Sequence, residues 1–412
     1  MDRYLLISAD GHAGPPAHIY REYLDPEYRE RFDEQHQEQA ALRAASPFGQ
    51  GDQSDFEREW ELATDGDGGL TAAYDGTERN RLLDREGVVA EVLFPDADVL
   101  GTGRVSSSPF GTGLAAGSQS EPEVAVAGAR AHNRWLADFC GDDPHRRIGV
   151  AVIPAIIPDM DTVLAMVREA KDLGHTGILV PTRWFDRPPY NEPWYDPLWA
   201  LVEDLELVLH THSGAGPTDF TGGYGLGPIY ATEAGWWAAR PFHVFIWSGL
   251  FERFPTLRYS MAENAAWWVP DTIRKMDEKW HGYHNTKKMG SLFRDALPNP
   301  PRFYLDRNCF FGASTPGVDD IERRHEIGVG NIMWGNDMPH PEGTFPFTHY
   351  FVRERFKDVP DDEARRMLGL TAAEVYGVDT AAVRPLVDRI GPTFEEVHGE
   401  DVVLDAPVEA IA

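Results

Sequence analysis

Cysteines, basic residues and long apolar runs are all scarce in this chain of 412 residues. The only cysteines, Cys140 and Cys309, form no C-x-x-C pair, so neither a framework of disulfides nor a cysteine zinc motif is expected. The 38 basic residues are outnumbered by 67 acidic ones, which gives a net charge of −29. Nucleic acids and anionic membranes require basic patches, so neither is expected as a partner.

Membrane insertion and secretion are also disfavoured. No apolar run approaches the ~20 residues that a membrane helix needs. The first residues, MDRYLLISAD, lack the basic region and long apolar core of a signal peptide. We therefore expect a cytoplasmic protein that acts on a small molecule, and its 42% hydrophobic content is sufficient for a large core.

Short apolar runs alternate with helix-like stretches along most of the chain. This alternation is typical of a parallel α/β fold, and eight such runs favour a closed, distorted (β/α)8 TIM barrel. The runs are Tyr4–Ala9, Val88–Phe94, Ile148–Ile153, Thr176–Val180, Glu206–Leu209, Leu257–Met261, Asn308–Phe311 and Asn331–Trp334. Helices are predicted after a cap at Asp159 or Asp161, over Asp196–Leu205 and over Asp319–Ile327.

Some segments depart from the repeat of strand and helix. We assign residues 1–378 to the barrel, with 20–85 as a charged insertion after the first strand. Residues 101–122 are small and polar and are predicted to form a mobile loop. The acidic residues 379–412 are predicted to be a C-terminal extension outside the barrel.

Polar residues that can bind a metal follow three of the predicted strands. Asp10 and His12 end the first strand in ISADGHAGPP, His210 and His212 end the fifth in LELVLHTHSGAG, and Asp337 follows the eighth in NIMWGNDMPHPEG. The carboxyl ends of barrel strands share one face, so these groups would converge there. Two imidazoles and two carboxylates suit Zn2+ or Mn2+. Taken alone, the DGH segment could equally be a turn that Asp10 stabilises.

These motifs, in this order, resemble the amidohydrolase superfamily. The nearer resemblance is to its "amidohydrolase 2" branch, which includes aminocarboxymuconate semialdehyde decarboxylase-like and other aromatic-acid decarboxylases. Further similar stretches are GVVAEVLFPD, NRWLADFCGDDPHRRIGVAVIP, LGHTGILVP and SGLFERFPTLRYSMAEN, so the similarity runs with gaps from Tyr4 to Val378. The resemblance implies a homodimer and one divalent metal ion, and it assigns metal binding to Asp10, His12, His212 and Asp337.

Three positions differ from the family pattern or leave a choice open. Asp10 stands where many members have histidine and the aromatic decarboxylases often have glutamate. Strand side chains alternate, so His210 faces the same side as His212 and remains its rival. Glu263, in SMAENAAWW, occupies the place of a catalytic histidine, where it could shuttle a proton or hold a structural hydrogen bond. The fourth strand ends GILVPT without a bridging lysine, which favours a single metal ion.

Further residues are candidates for catalysis and substrate binding. Asp337 would be both ligand and proton carrier, as its counterpart in the family is, and His340 would act beside it or shape its loop. Arg183 and Arg240 could anchor a substrate carboxylate, although each could instead form a salt bridge. Trp334 could line an apolar pocket or belong to the core.

Two reactions share this machinery. In hydrolysis, metal-activated water attacks an amide, ester or lactone; in non-oxidative decarboxylation, the metal holds a carboxylate or phenolate while carbon is protonated and CO2 leaves. The expected substrate is a small carboxylate- or carbonyl-bearing compound, aromatic in the decarboxylase case. The alternative from a different class is a catalytically inactive barrel that serves as a binding or scaffold protein.

Overall fold

A computed structural model describes residues 2–45, 62, 64, 66, 68–98, 104–114, 121–155, 157–184, 187–214, 224–286, 292–314, 316–400 and 402–404. Within these residues, eight parallel strands pair in chain order from β1 to β8. The strands are β1 Leu6–His12, β2 Val88–Phe94, β3 Arg147–Val152, β4 Gly177–Leu179, β5 Val208–His212, β6 Tyr259–Ala262, β7 Cys309–Ala313 and β8 Ile332–Trp334. The predicted (β/α)8 barrel is confirmed.

Helices occupy the connections between the strands and follow the last one. They are α1 Ala17–Tyr23, α2 Arg29–Ala45, α3 Gly76–Arg85, α4 Pro122–Gly141, α5 Met160–Asp172, α6 Asp196–Asp204, α7 Leu226–Trp247, α8 Leu250–Arg253, α9 Val269–Thr286, α10 Leu292–Ala296, α11 Pro301–Asn308, α12 Val318–Glu322, α13 Arg324–Ile327, α14 Thr348–Phe356, α15 Asp361–Arg365, α16 Thr371–Tyr376, α17 Arg384–Ile390 and α18 Phe394–His398. Among the described residues, no helix combines the length and apolar character needed to cross a membrane.

Backbone contacts between β1 and the chain just after β8 complete the barrel. The Asp337 amide donates to the Asp10 carbonyl at 2.9 Å, and the His12 amide donates to the Met338 carbonyl at 2.7 Å. Gly11 and Met338 form a parallel bridge at the same place. Asp10 and Asp337 are therefore brought together by the closure of the sheet itself.

Every predicted strand except the second differs from the observed strand in its bounds by one to three residues, and two of the predicted elements differ for a local reason. The fifth strand begins at Val208 rather than Glu206, because Glu206 adopts a positive φ of 54° in the turn that precedes the strand. The predicted helix Asp319–Ile327 is instead two short helices that meet at Arg323, whose φ of −95° and ψ of 10° interrupt the helical backbone. The helix after Asp159 is confirmed, and this side chain accepts from the amides of Asp161 and Thr162.

The segments outside the strand–helix repeat contain ordered structure where they are described. Residues 20–85 include α2 and α3, and α3 provides the connection between β1 and β2. The chain near α17 and α18 returns to the start of the barrel, where the Tyr4 amide donates to the Pro392 carbonyl at 2.7 Å. The division into insertion, mobile loop and extension stays a prediction.

A buried ion pair joins α3 to β2 beneath the carboxyl end of β1. The guanidinium of Arg79 binds the Glu91 carboxylate, with 2.8 Å between Arg79 Nε and Glu91 Oε1, and both side chains are fully buried. Arg79 also donates to the His12 carbonyl at 2.9 Å. A β-carbon on Gly11 would lie 3.2 Å from Arg79, so the absence of a side chain there makes room for the guanidinium. Arg79 thus supports the strand end that carries Asp10 and His12.

A buried histidine in α4 makes stability depend on pH. His132 is fully buried and its Nδ1 lies 2.9 Å from the Tyr20 hydroxyl; burial, with a smaller effect of His175, lowers its pKa to about 3. In the unfolded chain a histidine titrates near its ordinary value of about 6.5. Since the folded pKa is the lower one, this contribution to stability is complete above pH ~6.5 and is lost as the pH falls.

We therefore expect His132→Gln to weaken the acid sensitivity of the protein. Between pH 7 and pH 5, the unfolding free energy of the variant should fall by about 2 kcal/mol less than that of the wild type. Urea unfolding at the two pH values measures this difference. The exposed His145→Gln is the matched control and should fall as the wild type does. Equal losses in wild type and His132→Gln would contradict the assignment.

Candidate metal centre

Side chains from three strand ends meet in a buried cluster at the carboxyl face of the barrel. His212 Nε2 lies 3.1 Å from Asp10 Oδ1, and His12 Nε2 lies 3.6 Å from the same oxygen. His12 Nε2 also lies 3.0 Å from Asp337 Oδ1. All four residues are at most 2% exposed. The structure thus brings together Asp10, His12, His212 and Asp337, which we call the four-residue cluster.

The four-residue cluster suits a divalent cation. Within the described part of the chain, His12 Nε2 and both carboxylate oxygens of Asp337 are buried without a hydrogen bond. Buried polar atoms without partners cost free energy, and a carboxylate costs more than a neutral group. A cation surrounded by these atoms would satisfy them, and imidazole nitrogen together with carboxylate oxygen matches the donors that Zn2+ and Mn2+ accept.

Hydrogen bonds from the far side of each imidazole fix which nitrogen faces the cluster. His12 Nδ1 donates to the Pro95 carbonyl at 2.8 Å, which directs the Nε2 lone pair towards Asp10 and Asp337. Burial lowers the pKa of His12, so the neutral form that binds metals is favoured. His212 Nδ1 lies 3.1 Å from the Ser213 carbonyl and 3.1 Å from Glu263 Oε2, which leaves Nε2 facing Asp10.

His210 lies apart from the four-residue cluster. Its Nδ1 donates to the Val208 carbonyl at 3.0 Å, and its Nε2 lies 2.9 Å from the hydroxyl of Tyr376. Burial lowers its pKa to about 3, so it is neutral and both ring nitrogens are used within the core. The geometry therefore favours His212 over His210 as the ligand.

The two histidines of β5 provide a matched pair of variants. We expect His212→Asn to weaken Mn2+ binding by more than about 100-fold, because it removes a nitrogen that faces Asp10. His210→Asn should keep normal Mn2+ affinity and instead lower the unfolding free energy by about 1–3 kcal/mol, since the Tyr376 hydroxyl loses the closer of its two partners and keeps only Ser260 Oγ at 3.4 Å. Equilibrium dialysis against Mn2+ and urea unfolding measure the two effects. The opposite pattern would identify His210 as the ligand.

Glu263 and His340, both predicted to be catalytic, flank the four-residue cluster. Burial raises the pKa of Glu263 to about 8, although the nearby His212 opposes this. His340 Nδ1 lies 3.1 Å from Asp337 Oδ1, and its ring stacks on His12 with 3.8 Å between centroids. Although burial opposes it, the Asp337 carboxylate raises the pKa of His340 to about 10. Both residues could hold a proton near neutral pH in the protein without a metal.

Sequence analysis missed several residues beside the cluster, including Glu342, Asp96 and Ser314, whose hydroxyl donates to Asp10 Oδ2 at 2.5 Å. The donor atoms of Glu342 lie within 4.8 Å of those of Glu263, Asp337 and His340. Glu342 belongs to the WGNDMPHPEG motif, so its place in that motif could have identified it as a candidate. The carbonyl of Asp96 accepts a hydrogen bond from His340 Nε2 at 3.0 Å, and since any residue offers a carbonyl, no sequence signal pointed to it.

The predicted substrate-binding residues lie in two different environments. The Arg183 guanidinium packs over the Trp237 ring at 4.5 Å, and the Arg240 guanidinium packs over the Trp184 ring at 4.4 Å. Trp334 is 1% exposed and belongs to the hydrophobic core of the barrel. The two arginines therefore share one aromatic cluster, whereas Trp334 packs inside the fold.

A narrow, mostly apolar cleft begins at His212. One wall comes from the described loop 104–114 and the other from the chain just beyond β3 and β4. The lining residues are Thr112, Gly113, Leu114, Val152, Ile153, Pro154, Leu179, Val180, Pro181, Thr182 and His212. Its volume of about 10 Å³ leaves room for about one water molecule, so the cleft in this conformation is too tight for a substrate ring.

A family model described as amidohydrolase matches residues 91–378, and the chain therefore belongs to the amidohydrolase family. The predicted family is confirmed, and with it the prediction of an enzyme of the hydrolase or carboxy-lyase class found in that superfamily. Gamma-resorcylate decarboxylase of Rhizobium sp. (strain MTP-10005) is 27% identical over 268 residues, which are 60% of this chain and 78% of that protein.

Solved structures share the fold at low sequence identity. An amidohydrolase from Mycobacterium avium subsp. paratuberculosis K-10 matches with a TM-score of 0.65 and 18% identity over 91% of this chain and 99% of the other. A dihydroxybenzoic acid decarboxylase from Polaromonas sp. JS666, solved with manganese and the inhibitor 2-nitroresorcinol, matches with a TM-score of 0.62 and 17% identity over 92% and 99%. The 5-carboxyvanillate decarboxylase from Sphingomonas paucimobilis matches with a TM-score of 0.59 and 19% identity over 91% and 99%.

Proposed function

We propose that this protein is a manganese-dependent enzyme that removes CO2 from hydroxylated aromatic carboxylates without oxidation. The observation that carries the proposal is the buried four-residue cluster. In it, His12 Nε2 and Asp337 Oδ1 face each other at 3.0 Å, and neither atom has a hydrogen bond to any described residue. The relatives named above support the reaction and the metal, since one acts on gamma-resorcylate and another was solved with manganese. A set of ligands with two carboxylates suits Mn2+, whereas a set rich in sulfur would favour softer metals.

Asp10, His12, His212 and Asp337 would hold the cation. When bound, it supplies a Lewis acid that polarises a substrate oxygen. His212 Nδ1 donates to the Ser213 carbonyl at 3.1 Å and lies 3.1 Å from Glu263 Oε2, so Nε2 of that ring stays directed towards Asp10. The burial of all four side chains excludes water from this part of the site and strengthens each electrostatic contact.

His340 and Asp337 would hold the proton that replaces the carboxylate on the ring and would deliver it. In the reaction, the bond between the ring carbon and the carboxylate carbon breaks, CO2 leaves, and a proton forms the new C–H bond. The Asp337 carboxylate stabilises a proton on His340 Nδ1, only 3.1 Å from Asp337 Oδ1. These two groups can therefore hold the proton and pass it to the ring carbon, with Glu263 as a second proton store at the mouth.

Substrate binding would use the cleft and the arginines. Loop 104–114 would have to move outwards to admit the ring, which would then lie against Leu114, Ile153 and Val180, next to His212. Arg183 and Arg240 would bind an anionic substituent, because guanidinium matches carboxylate geometry. Trp334 would not contact the substrate and would contribute only by packing in the core behind the site.

We also propose that the protein is a cytoplasmic homodimer joined through α7. The first half of this helix exposes large apolar side chains, including Leu226, Ile229 and Trp236, and Glu233 is the only charged residue between positions 224 and 239. Two copies with a charge of −29 each repel one another, so they would associate through such a neutral surface. Light scattering on Ile229→Glu/Trp236→Glu should give a monomer where the wild type gives a dimer.

A substrate panel tests the reaction. Protein dialysed against a chelator and reloaded with Mn2+ is incubated with hydroxybenzoates that carry 13C in the carboxyl group, including 2,6-dihydroxybenzoate, and in parallel with lactones and amides. Labelled CO2 released in step with the matching phenol supports decarboxylation. Hydrolysis of a lactone or amide with intact benzoates would overturn the proposed reaction. If the protein binds no stoichiometric divalent ion, the result would favour the alternative, in which the barrel is catalytically inactive and serves as a binding or scaffold protein.

A further inference from the structure

The turn after β2 contacts both His12 and His340. Its residues Pro95 and Asp96 offer consecutive carbonyls to two imidazoles: Pro95 accepts from His12 Nδ1 at 2.8 Å, and Asp96 accepts from His340 Nε2 at 3.0 Å. Asp96 has a positive φ of 66°. This left-handed backbone, which few residues other than glycine, asparagine and aspartate adopt readily, directs both carbonyls to the stacked rings.

The side chain of Asp96 binds the described loop 104–114. Asp96 Oδ1 accepts from the Ser108 amide at 2.9 Å, and Oδ2 accepts from the Leu114 amide at 2.8 Å. Gly113 fits against this carboxylate, because a β-carbon there would lie 1.9 Å from Asp96 Oδ2. One residue therefore holds the loop by its carboxylate and His340 by its backbone.

The position of loop 104–114 sets the width of the cleft, because residues of this loop form one of its walls. Leu114 lines the cleft together with His212 and lies close to Gly214, where a β-carbon would be 3.0 Å from Leu114 Cβ. Releasing the Leu114 amide would move this wall away from His212. The carbonyls of Pro95 and Asp96 would be unaffected as long as the left-handed turn remained.

We propose that Asp96 is a positioning residue that couples the placement of loop 104–114 over the cleft to the orientation of His12 and His340. Its carboxylate shapes the wall that receives the substrate, and its backbone fixes the two rings. The effects on turnover and on Mn2+ binding rest on the proposed function, whereas the effect on the loop does not. Asp96 acts through its neighbours and has no part in the chemical step.

The two roles of Asp96 can be separated by substitution. Asp96→Gly keeps the left-handed turn and removes the carboxylate, so the amides of 104–114 should exchange with deuterium about tenfold faster while Mn2+ affinity stays normal. The KM for an accepted benzoate should rise about tenfold with kcat changed less than about threefold, because ground-state and transition-state binding weaken together. Asp96→Asn, which keeps one acceptor oxygen, should be intermediate. Asp96→Val cannot adopt the turn easily and should also weaken Mn2+ binding.

Two loop variants complete the test. Gly113→Ala displaces the carboxylate without changing Asp96 and should reproduce the fast exchange of Asp96→Gly, whereas the exposed Ser107→Ala should behave as the wild type. Wild-type exchange in both Asp96→Gly and Gly113→Ala would overturn the role of the carboxylate. Wild-type Mn2+ affinity in a folded Asp96→Val would overturn the role of the turn. Exchange and Mn2+ binding need no substrate, so a failure of the proposed reaction would appear only in the substrate panel.

Discussion

Asp337→Asn is expected to lower the rate of CO2 release by about 10²–10⁴-fold, the range over which proton-transfer groups contribute to catalysis. The carboxylate lies 3.0 Å from His12 Nε2 and 3.1 Å from His340 Nδ1. Replacing it with an amide would remove the negative charge of a proposed metal ligand. It would also remove the charge that stabilises the proton on His340. The fold should survive, because Asp337 has a positive φ of 55°, a conformation that asparagine tolerates well. Initial rates of CO2 release measure the effect, and circular dichroism checks the fold.

The exposed Asp358→Asn makes the same change of charge on the surface and provides the matched control. Its rate should equal that of the wild type. A folded Asp337→Asn that keeps more than a third of the wild-type rate would contradict the role given to this residue.

Arg79→Met should destabilise the fold by about 3–5 kcal/mol, as expected when one partner of a buried ion pair is removed. Glu91 would be left as a buried carboxylate without its cation, and the His12 carbonyl would lose a donor. The double variant Arg79→Met/Glu91→Leu should lose less, because it leaves no charge unpaired. Urea unfolding at pH 7 measures the three free energies.

The same helix supplies the control. Arg81 pairs with Glu78 at the surface, with its side chain 48% exposed, so Arg81→Met should cost at most about 1 kcal/mol. Equal losses for Arg79→Met and Arg81→Met would show that the buried pair has no special role. A double variant less stable than Arg79→Met would contradict the explanation by an unpaired charge.

The barrel and the convergence of polar residues at its carboxyl face were predictable because both follow from periodicity, whereas the choice of four ligands among those residues came from the family resemblance. Buried parallel strands are short apolar runs, and the carboxyl ends of parallel strands share one face, so polar residues at those ends had to converge. The choice between His210 and His212 was not predictable from alternation, since both side chains face the same way. It depends on the partner of each ring: Tyr376 for His210 and Asp10 for His212.

Other features depend on backbone conformations and contacts that a sequence pattern does not record. The later start of β5 follows from the positive φ of Glu206, and the interrupted helix follows from the conformation of Arg323, whose guanidinium binds the Trp267 carbonyl. The roles of Arg79 and Asp96 come from partners distant in the chain, the Glu91 carboxylate and the His340 ring. Such pairings require the three-dimensional fold.

The central claim is that one divalent cation binds among Asp10, His12, His212 and Asp337. The most direct test is a crystal structure of the Mn2+-loaded protein with data collected at the manganese absorption edge. The account predicts one strong anomalous peak within coordination distance of these four side chains and its loss in His12→Ala crystals. A peak bound elsewhere, such as among Glu263, His340 and Glu342 alone, or no peak at all, would contradict it.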